Sequence, residues 1–301
     1  MIIPPYLREN DTVAIVCPSG FMPFERAKTC IETLRQWGFQ VKIGKTLGHQ
    51  SHYFSGTDEE RLDDLQSMID DKNVKAILCG RGGYGLSRII DKINFKPLIS
   101  NPKWVIGYSD ITLLHCHLNR QFKTASLHSP MAGAFNEGVD NIYIQSLKKV
   151  MFGEQCIYNV DSHFYNRLGE CNGELIGGNL ALLAHSIGSV SEPNTKNKIL
   201  FIEDVGEFLY NTDRMLHQLK RAGWFIGLRG LLIGSFSDMK DTTIPFGKTI
   251  YEIIWEAISA YNFPVAFNFP VGHQPENYAL KCGALHQLEV KKDIVTLQEI
   301  V

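Results

Sequence analysis

The sequence predicts an α/β fold built on a parallel sheet. Two observations carry that prediction: short apolar, β-branched runs alternate with amphipathic helical stretches through the first half, and the runs are apolar on both faces. Strands of that kind belong to sheets covered by helices on each side. A third observation points to where function gathers. Two unusual loops, 80–85 and 107–110, follow such runs directly, at the carboxyl ends where open α/β sheets place their chemistry.

Residues 12–17 (TVAIVC) form the first expected strand, stopped by Pro18-Ser19-Gly20. Over 25–37, Ala27, Ile31, Leu34 and Trp37 share one helical face, and Gly38 is a natural stop. A short strand is expected over 39–43. The stretch 58–70 carries Leu62, Leu65, Met68 and Ile69 at helical spacing, and 74–79 (VKAILC) is a third strand, broken by Gly80-Arg-Gly-Gly-Tyr-Gly85. A short helix is expected over 86–93. The run 104–107 then passes through Tyr108-Ser109-Asp110 into a helix with Ile111, Leu114 and Leu118 toward the core.

Periodicity weakens over 135–172, which reads as the crossing between two domains, 1–150 and 165–301. A chain of 301 residues exceeds what one core usually holds, about 250–300 residues. The second domain is expected to run through a strand-like 173–178, a helix 179–187, a strand 198–202 ending in Glu203-Asp204, a helix 212–222 and a strand 230–235. A helix 248–260 and a strand 265–269 follow. Leu288 and Val290, then Val295 and Leu297, alternate with polar neighbours and suggest closing antiparallel strands.

Composition narrows the function classes. The chain carries 30 Lys plus Arg against 32 Asp plus Glu, a formal net charge of -2, which lacks the basic excess of a nucleic-acid binder. Seven scattered cysteines form no CxxC pair, so neither a zinc knuckle nor a disulfide framework is indicated. No window approaches the roughly 20 apolar residues of a membrane span, and the first residues do not read as a secretory signal. The expectation is a cytoplasmic protein with no nucleic-acid or membrane partner.

Several side chains could do chemistry. Ser109 stands where a strand turns into a helix, so its hydroxyl is either lifted above the sheet edge as a nucleophile or spent as a helix cap. The full Gly-x-Ser-x-Gly pattern is absent, because Ile111 occupies the place of the second glycine. The glycine loop 80–85 can present backbone amides to an anion or can be a bare tight turn; no Lys-Ser/Thr follows, which excludes a Walker loop. A serine nucleophile needs a base and an orienting carboxylate. His273, in Pro270-Val-Gly-His-Gln-Pro-Glu, is one candidate base, and Glu203, with Asp204 and Glu207 as competitors, a candidate carboxylate. A cysteine alternative pairs Cys79 with His128. Arg81 is a candidate to hold a substrate carboxylate.

Taken together, the Pro18-Ser-Gly turn, Gly80-Arg-Gly-Gly-Tyr-Gly85, Gly107-Tyr-Ser-Asp110, Gly173-x-x-x-Gly-Gly-Asn179, Glu203-Asp-Val-Gly-Glu207 with Asp213-Arg214, and Gly272-His273 resemble the LD-carboxypeptidases. These serine peptidases include murein tetrapeptide carboxypeptidases and microcin C self-immunity proteins. The resemblance implies a flavodoxin-like N-terminal domain, a smaller β-rich C-terminal domain and a site between them. It makes Ser109 the nucleophile, His273 the base and Glu203 the triad carboxylate, with the amides of Gly83 and Asp110 as oxyanion hole and no metal or cofactor. It also implies a homodimer acting on a muropeptide or small peptide, by release of terminal D-alanine or, alternatively, by cleavage of a peptidyl or aminoacyl nucleotide amide. Glu207 and Asp213-Arg214 are expected to form a local network at a helix start.

Overall fold

Among the described residues, the alternating signals resolve into 13 strands and eight α-helices. First come β1 (Thr12–Val16), α1 (Lys28–Gln36), β2 (Gln40–Ile43), α2 (Asp58–Asp70), β3 (Val74–Cys79), α3 (Pro97–Ser100), β4 (Trp104–Gly107), α4 (Thr112–His117), β5 (Ser126–His128) and α5 (Ile142–Met151). Then follow β6 (Ile157–Asp161), β7 (Gly169–Asn179), α6 (Leu180–Ser186), β8 (Lys198–Val205), α7 (Leu209–Arg221), β9 (Gly230–Ser237) and α8 (Ile250–Ile258). Last are β10 (Val265–Ala266), β11 (Leu280–Cys282), β12 (Leu285–Val290) and β13 (Ile294–Glu299). The computed structural model describes residues 1–300. It divides into two units: Met1–Glu154 with Tyr278–Lys281, and 155–277 with the stretch from Cys282 onward.

The first unit holds a six-stranded sheet in the order β11-β5-β4-β3-β1-β2. Strands β1 to β5 pair in parallel throughout, in the flavodoxin-like order 2-1-3-4-5. Val13, Ala14, Ile15 and Val16 are all fully buried, as the two-faced apolar run requires. Each of the two valines and the isoleucine contributes about 1.5–3 kcal/mol through burial. Ala27, Ile31, Leu34 and Trp37 are buried together as the helical spacing predicts. Ile111, Leu114 and Leu118 join Leu65, Met68 and Ile69 in one core cluster. Helix α2 starts on a capping box: the Thr57 hydroxyl accepts the Glu60 N–H at 3.2 Å, while the Glu60 carboxylate accepts the Thr57 N–H at 2.7 Å.

The second unit holds a seven-stranded mixed sheet, β10-β9-β8-β7-β12-β13-β6. Strands β7 to β10 are parallel, whereas β12 and β13 close antiparallel, with Leu288 opposite Leu297 and Val290 opposite Val295. That closing pair is the one the alternation in the last residues indicates.

Three expectations differ from the fold. Residues 86–93 form two 3₁₀ turns, Leu86–Arg88 and Ile90–Lys92, rather than a helix; Gly85 at φ +146° sets the chain off the helical path. Leu86, Ile89, Ile90 and Ile93 are buried nonetheless. The span 135–172 is not irregular. It contains α5, capped by the Asn141 carboxamide accepting the Tyr143 and Ile144 N–H groups at 3.0 and 2.8 Å, and the edge strand β6, whose weak alternation hid it. Finally, pairing in β10 stops after Ala266, because Asn268 takes φ +59°.

Candidate active site

The turn that carries Ser109 is built in the first unit. Strand β4 is buried along its whole length and leaves Tyr108 extended, after which Ser109 takes φ +65°. A non-glycine residue there costs about 1–2 kcal/mol and persists only where its surroundings hold it. Three contacts do so. The buried Asp110 carboxylate accepts the Ser19 hydroxyl at 2.5 Å and the Leu86 N–H at 2.9 Å, tying the loops after β1 and β3 to the turn. Gly20 donates its N–H to the Gly82 carbonyl at 3.0 Å. Arg61, fully buried, donates to the carbonyls of Pro18 at 2.6 Å and Gly85 at 3.0 Å.

Gly82 presses on the serine itself: a Cβ at position 82 would lie 2.8 Å from Ser109 Cβ and 2.9 Å from its Oγ. No larger residue fits without displacing the hydroxyl. Ser109 is not a helix cap, since Tyr108 holds that position and no side chain caps the turn. The capping role is therefore not the one Ser109 plays, and its backbone is left-handed at the start of the turn. Gly83 follows at φ +101°, and a Cβ there would lie 2.9 Å from the Tyr53 hydroxyl. Among the described residues, neither the Gly83 nor the Asp110 N–H donates to a protein acceptor.

The candidate base and its candidate carboxylate partner lie in the second unit. Glu203 sits near the carboxyl end of β8 and is fully buried; its Oε2 accepts from His273 Nδ1 at 2.7 Å. That bond leaves Nε2 of the neutral ring as the proton acceptor. Two glycines make room for the carboxylate. A Cβ on Gly272, which holds φ +130°, would lie 2.3 Å from Ser235 Oγ and 2.9 Å from Glu203 Oε2; a Cβ on Gly234 would lie 2.4 Å from the Val271 carbonyl oxygen. The His273 N–H donates to Ser235 Oγ at 3.1 Å, and the Gly272 N–H to Asn277 Oδ1 at 3.1 Å, so the loop holds the ring in place. Burial opposes charging of His273, but the hydrogen bond to Glu203 and its charge outweigh burial and raise the imidazole above its ordinary range.

Asp204, on the opposite face of β8, accepts from Asn179 Nδ2 at 2.9 Å and from the Ala181 N–H at 3.1 Å. Burial, then the neighbouring Glu203 charge, push it up to about 7. Glu207 accepts from Asn211 Nδ2 at 2.5 Å, and Asp213 lies 3.8 Å from His217, contacts local to the start and body of α7. Arg214 stacks over Tyr210 at 5.2 Å.

The cysteine alternative does not fit. Cys79 is fully buried and burial drives its thiol well above the ordinary range, opposite to what a thiolate nucleophile needs. Arg81 donates from Nη1 to the Phe21 carbonyl at 2.7 Å. Among the described residues no group of three or more His, Cys, Asp or Glu converges as metal ligands, and no helix is long and apolar enough to cross a membrane.

Comparison with known proteins finds relatives along most of the chain. The LD-carboxypeptidase N-terminal domain matches over residues 13–129 and the LD-carboxypeptidase C-terminal domain over 172–288. A Bacillus subtilis protein named "Probable murein peptide carboxypeptidase" is 34% identical over 93% of this chain and 89% of its own. The chain belongs to the LD-carboxypeptidase family, peptidase S66. A murein tetrapeptide carboxypeptidase of Pseudomonas aeruginosa is 27% identical, covering 93% of this chain and 94% of that one. The crystal structure of a muramoyltetrapeptide carboxypeptidase from Oxalobacter formigenes superposes with a TM-score of 0.87 at 27% identity, over 96% and 98% of the two chains. The microcin C7 self-immunity protein, in complex with aspartyl sulfamoyl adenosine, shares the fold with a TM-score of 0.88 at 22% identity, over 100% and 99%.

In this LD-carboxypeptidase family member, several supporting residues escape a motif-level reading. The Asp110 side chain, Ser19, Arg61, Ser235 and Asn277 all brace the candidate residues, and Gly82, rather than Gly83, abuts Ser109. The available signal is sequence adjacency: Ser19 and Gly82 sit in the glycine-containing turns, and Asp110 follows the serine.

Proposed function

We propose that the protein is a serine carboxypeptidase that releases the terminal D-alanine of murein tetrapeptides. The observation that supports it best is the Glu203–His273 pair, a base oriented by a buried carboxylate, in a chain of a carboxypeptidase family. In this reading His273 Nε2 takes the Ser109 proton as Oγ attacks the scissile carbonyl, while Glu203 stabilises the imidazolium. The Gly83 and Asp110 N–H groups hold the oxyanion; losing one such donor typically costs about 2.7–4 kcal/mol. The tetrahedral species collapses as the C–N bond breaks and His273 returns the proton to the leaving amine. Water, deprotonated by the same histidine, then hydrolyses the Ser109 ester.

The reading carries with it a cytoplasmic homodimer engaged in peptidoglycan recycling. The test is mass spectrometry of the protein incubated with an L-Ala–D-Glu–diamino acid–D-Ala peptide beside an aminoacyl sulfamoyl adenosine. Loss of alanine from the first with the second intact is the expected result. Hydrolysis of the nucleotide analogue alone would move the assignment to the microcin-type activity.

A further inference from the structure

A pocket of about 190 Å³ lies at the carboxyl ends of β1, β3 and β4, wholly within the first unit. Met22, Arg26, Arg81, Tyr108, Met131 and Glu137 line it, along with the Gly80 backbone. Its position is the switch point of a flavodoxin-like sheet, the crevice such folds use for ligands. It also adjoins the nucleophile turn through two chain connections. Tyr108 immediately precedes Ser109, and Gly80-Arg81 lead into Gly82, which presses on that serine.

The lining combines two arginines and one glutamate with two buried methionines. Arg81 spends one N–H on the Phe21 carbonyl and keeps the others. Among the described residues, the Arg26 guanidinium has neither a hydrogen bond nor an ion pair. Its Nη2 lies 3.7 Å, and Met22 Cε 3.9 Å, from where a Cβ on Gly133 would stand, so the glycine leaves the cation and the thioether together at the pocket wall. The volume is below the roughly 300–1,000 Å³ of pockets for drug-sized ligands. A pocket of that size suits one small residue with a free carboxylate.

We infer that this pocket is the subsite for the leaving residue, with Arg26 and Arg81 binding the terminal carboxylate and Met22 and Met131 receiving a small apolar side chain. The inference rests on the carboxypeptidase reading and specifies its substrate as a peptide ending in a small residue with a free acid. A charge-assisted hydrogen bond to a carboxylate is worth about 10- to 100-fold in affinity. The planar guanidinium matches the two carboxylate oxygens in a way a lysine does not.

The test compares Arg26→Gln and Arg81→Gln with the unmodified protein on two substrates: the tetrapeptide ending in D-alanine and the same peptide ending in D-alaninamide. The unmodified protein prefers the free acid. Each variant loses about 10- to 100-fold in kcat/KM on the acid, mainly through KM, and loses much less on the amide, so the preference collapses. Arg26 is solvent-exposed, so the melting temperature of its variant stays near that of the unmodified protein. Variants that keep the full acid-over-amide preference overturn the subsite while leaving the peptidase reading intact. An unmodified protein that releases nothing from either peptide overturns both.

Discussion

Replacing Glu203 with glutamine separates the charge of the proposed base's partner from its shape. Glu203 is fully buried and its Oε2 meets His273 Nδ1 at 2.7 Å, so in the proposed mechanism the imidazolium formed during attack is stabilised at short range away from water. At an effective dielectric of about 20, unit charges at ion-pair distance attract by about 4 kcal/mol, or roughly 10³ in rate. Glutamine can also donate to Nδ1 and so favour the wrong tautomer, which in the chymotrypsin-type triad brings the loss to about 10⁴. The backbone bond from His273 to Ser235 Oγ remains, so the loop and the fold persist.

Glu203→Gln is therefore expected to lower kcat by about 10³–10⁴ with little change in KM. The pH profile gives a second readout. Removing the carboxylate leaves burial as the main influence on His273, so its pKa falls. Activity needs the neutral ring, and the acid limb of kcat/KM consequently moves to lower pH in the variant. Steady-state kinetics from about pH 5 to 9 measure both effects. A variant within tenfold of the parent, with an unmoved acid limb, would refute the reasoning.

Gly82→Ala is expected to cut turnover by at least about 10² and to lower the melting temperature, because the added Cβ lies 2.8 Å from Ser109 Cβ and must displace the serine; full activity in the Gly82→Ala variant would contradict this contact. Asp204, raised from 3.8 to about 7, contributes stability that is fully present below pH 3.8 and lost as pH rises through 7. The loss is at most about 4 kcal/mol. Asp204→Asn should thus gain melting temperature relative to the parent between about pH 5 and 8, and a difference constant over that range would be the contrary result. Cys79→Ala should keep its turnover, since the thiol is buried and protonated; loss of activity without loss of folding would reopen the cysteine reading.

The parts of the fold legible in the sequence are those where burial imposes a period. Strand β3 and helix α2 fall where their apolar spacing puts them, and the antiparallel pairing of β12 with β13 follows from Leu288, Val290, Val295 and Leu297. Edge and half-exposed elements are less legible. Strand β6 packs Tyr158 against the sheet but leaves Ile157 exposed, so its alternation does not mark it as a strand. Helix α5 had a readable cap in Asn141 and apolar spacing at Ile144, Leu147, Val150 and Met151.

At the candidate site, residue types and their places after strands single out Ser109, Glu203 and His273. What holds each of them is long-range and invisible to local pattern. Ser19 reaches Asp110 across 91 positions, and Arg61 joins the loops after β1 and β3 from a helix between them. Glu203 occupies a slot made by two distant glycines, Gly234 and Gly272. Nothing in the immediate neighbourhood of β8 announces those contacts.

Ser109 is the residue on which the proposed chemistry turns, and the direct measurement is D-alanine release from the murein tetrapeptide by the parent and by Ser109→Ala, followed by mass spectrometry. The account predicts stoichiometric release by the parent and a loss of about 10⁴ or more in the variant, whose fold is unchanged. Release by the alanine variant at the parent's rate would contradict it.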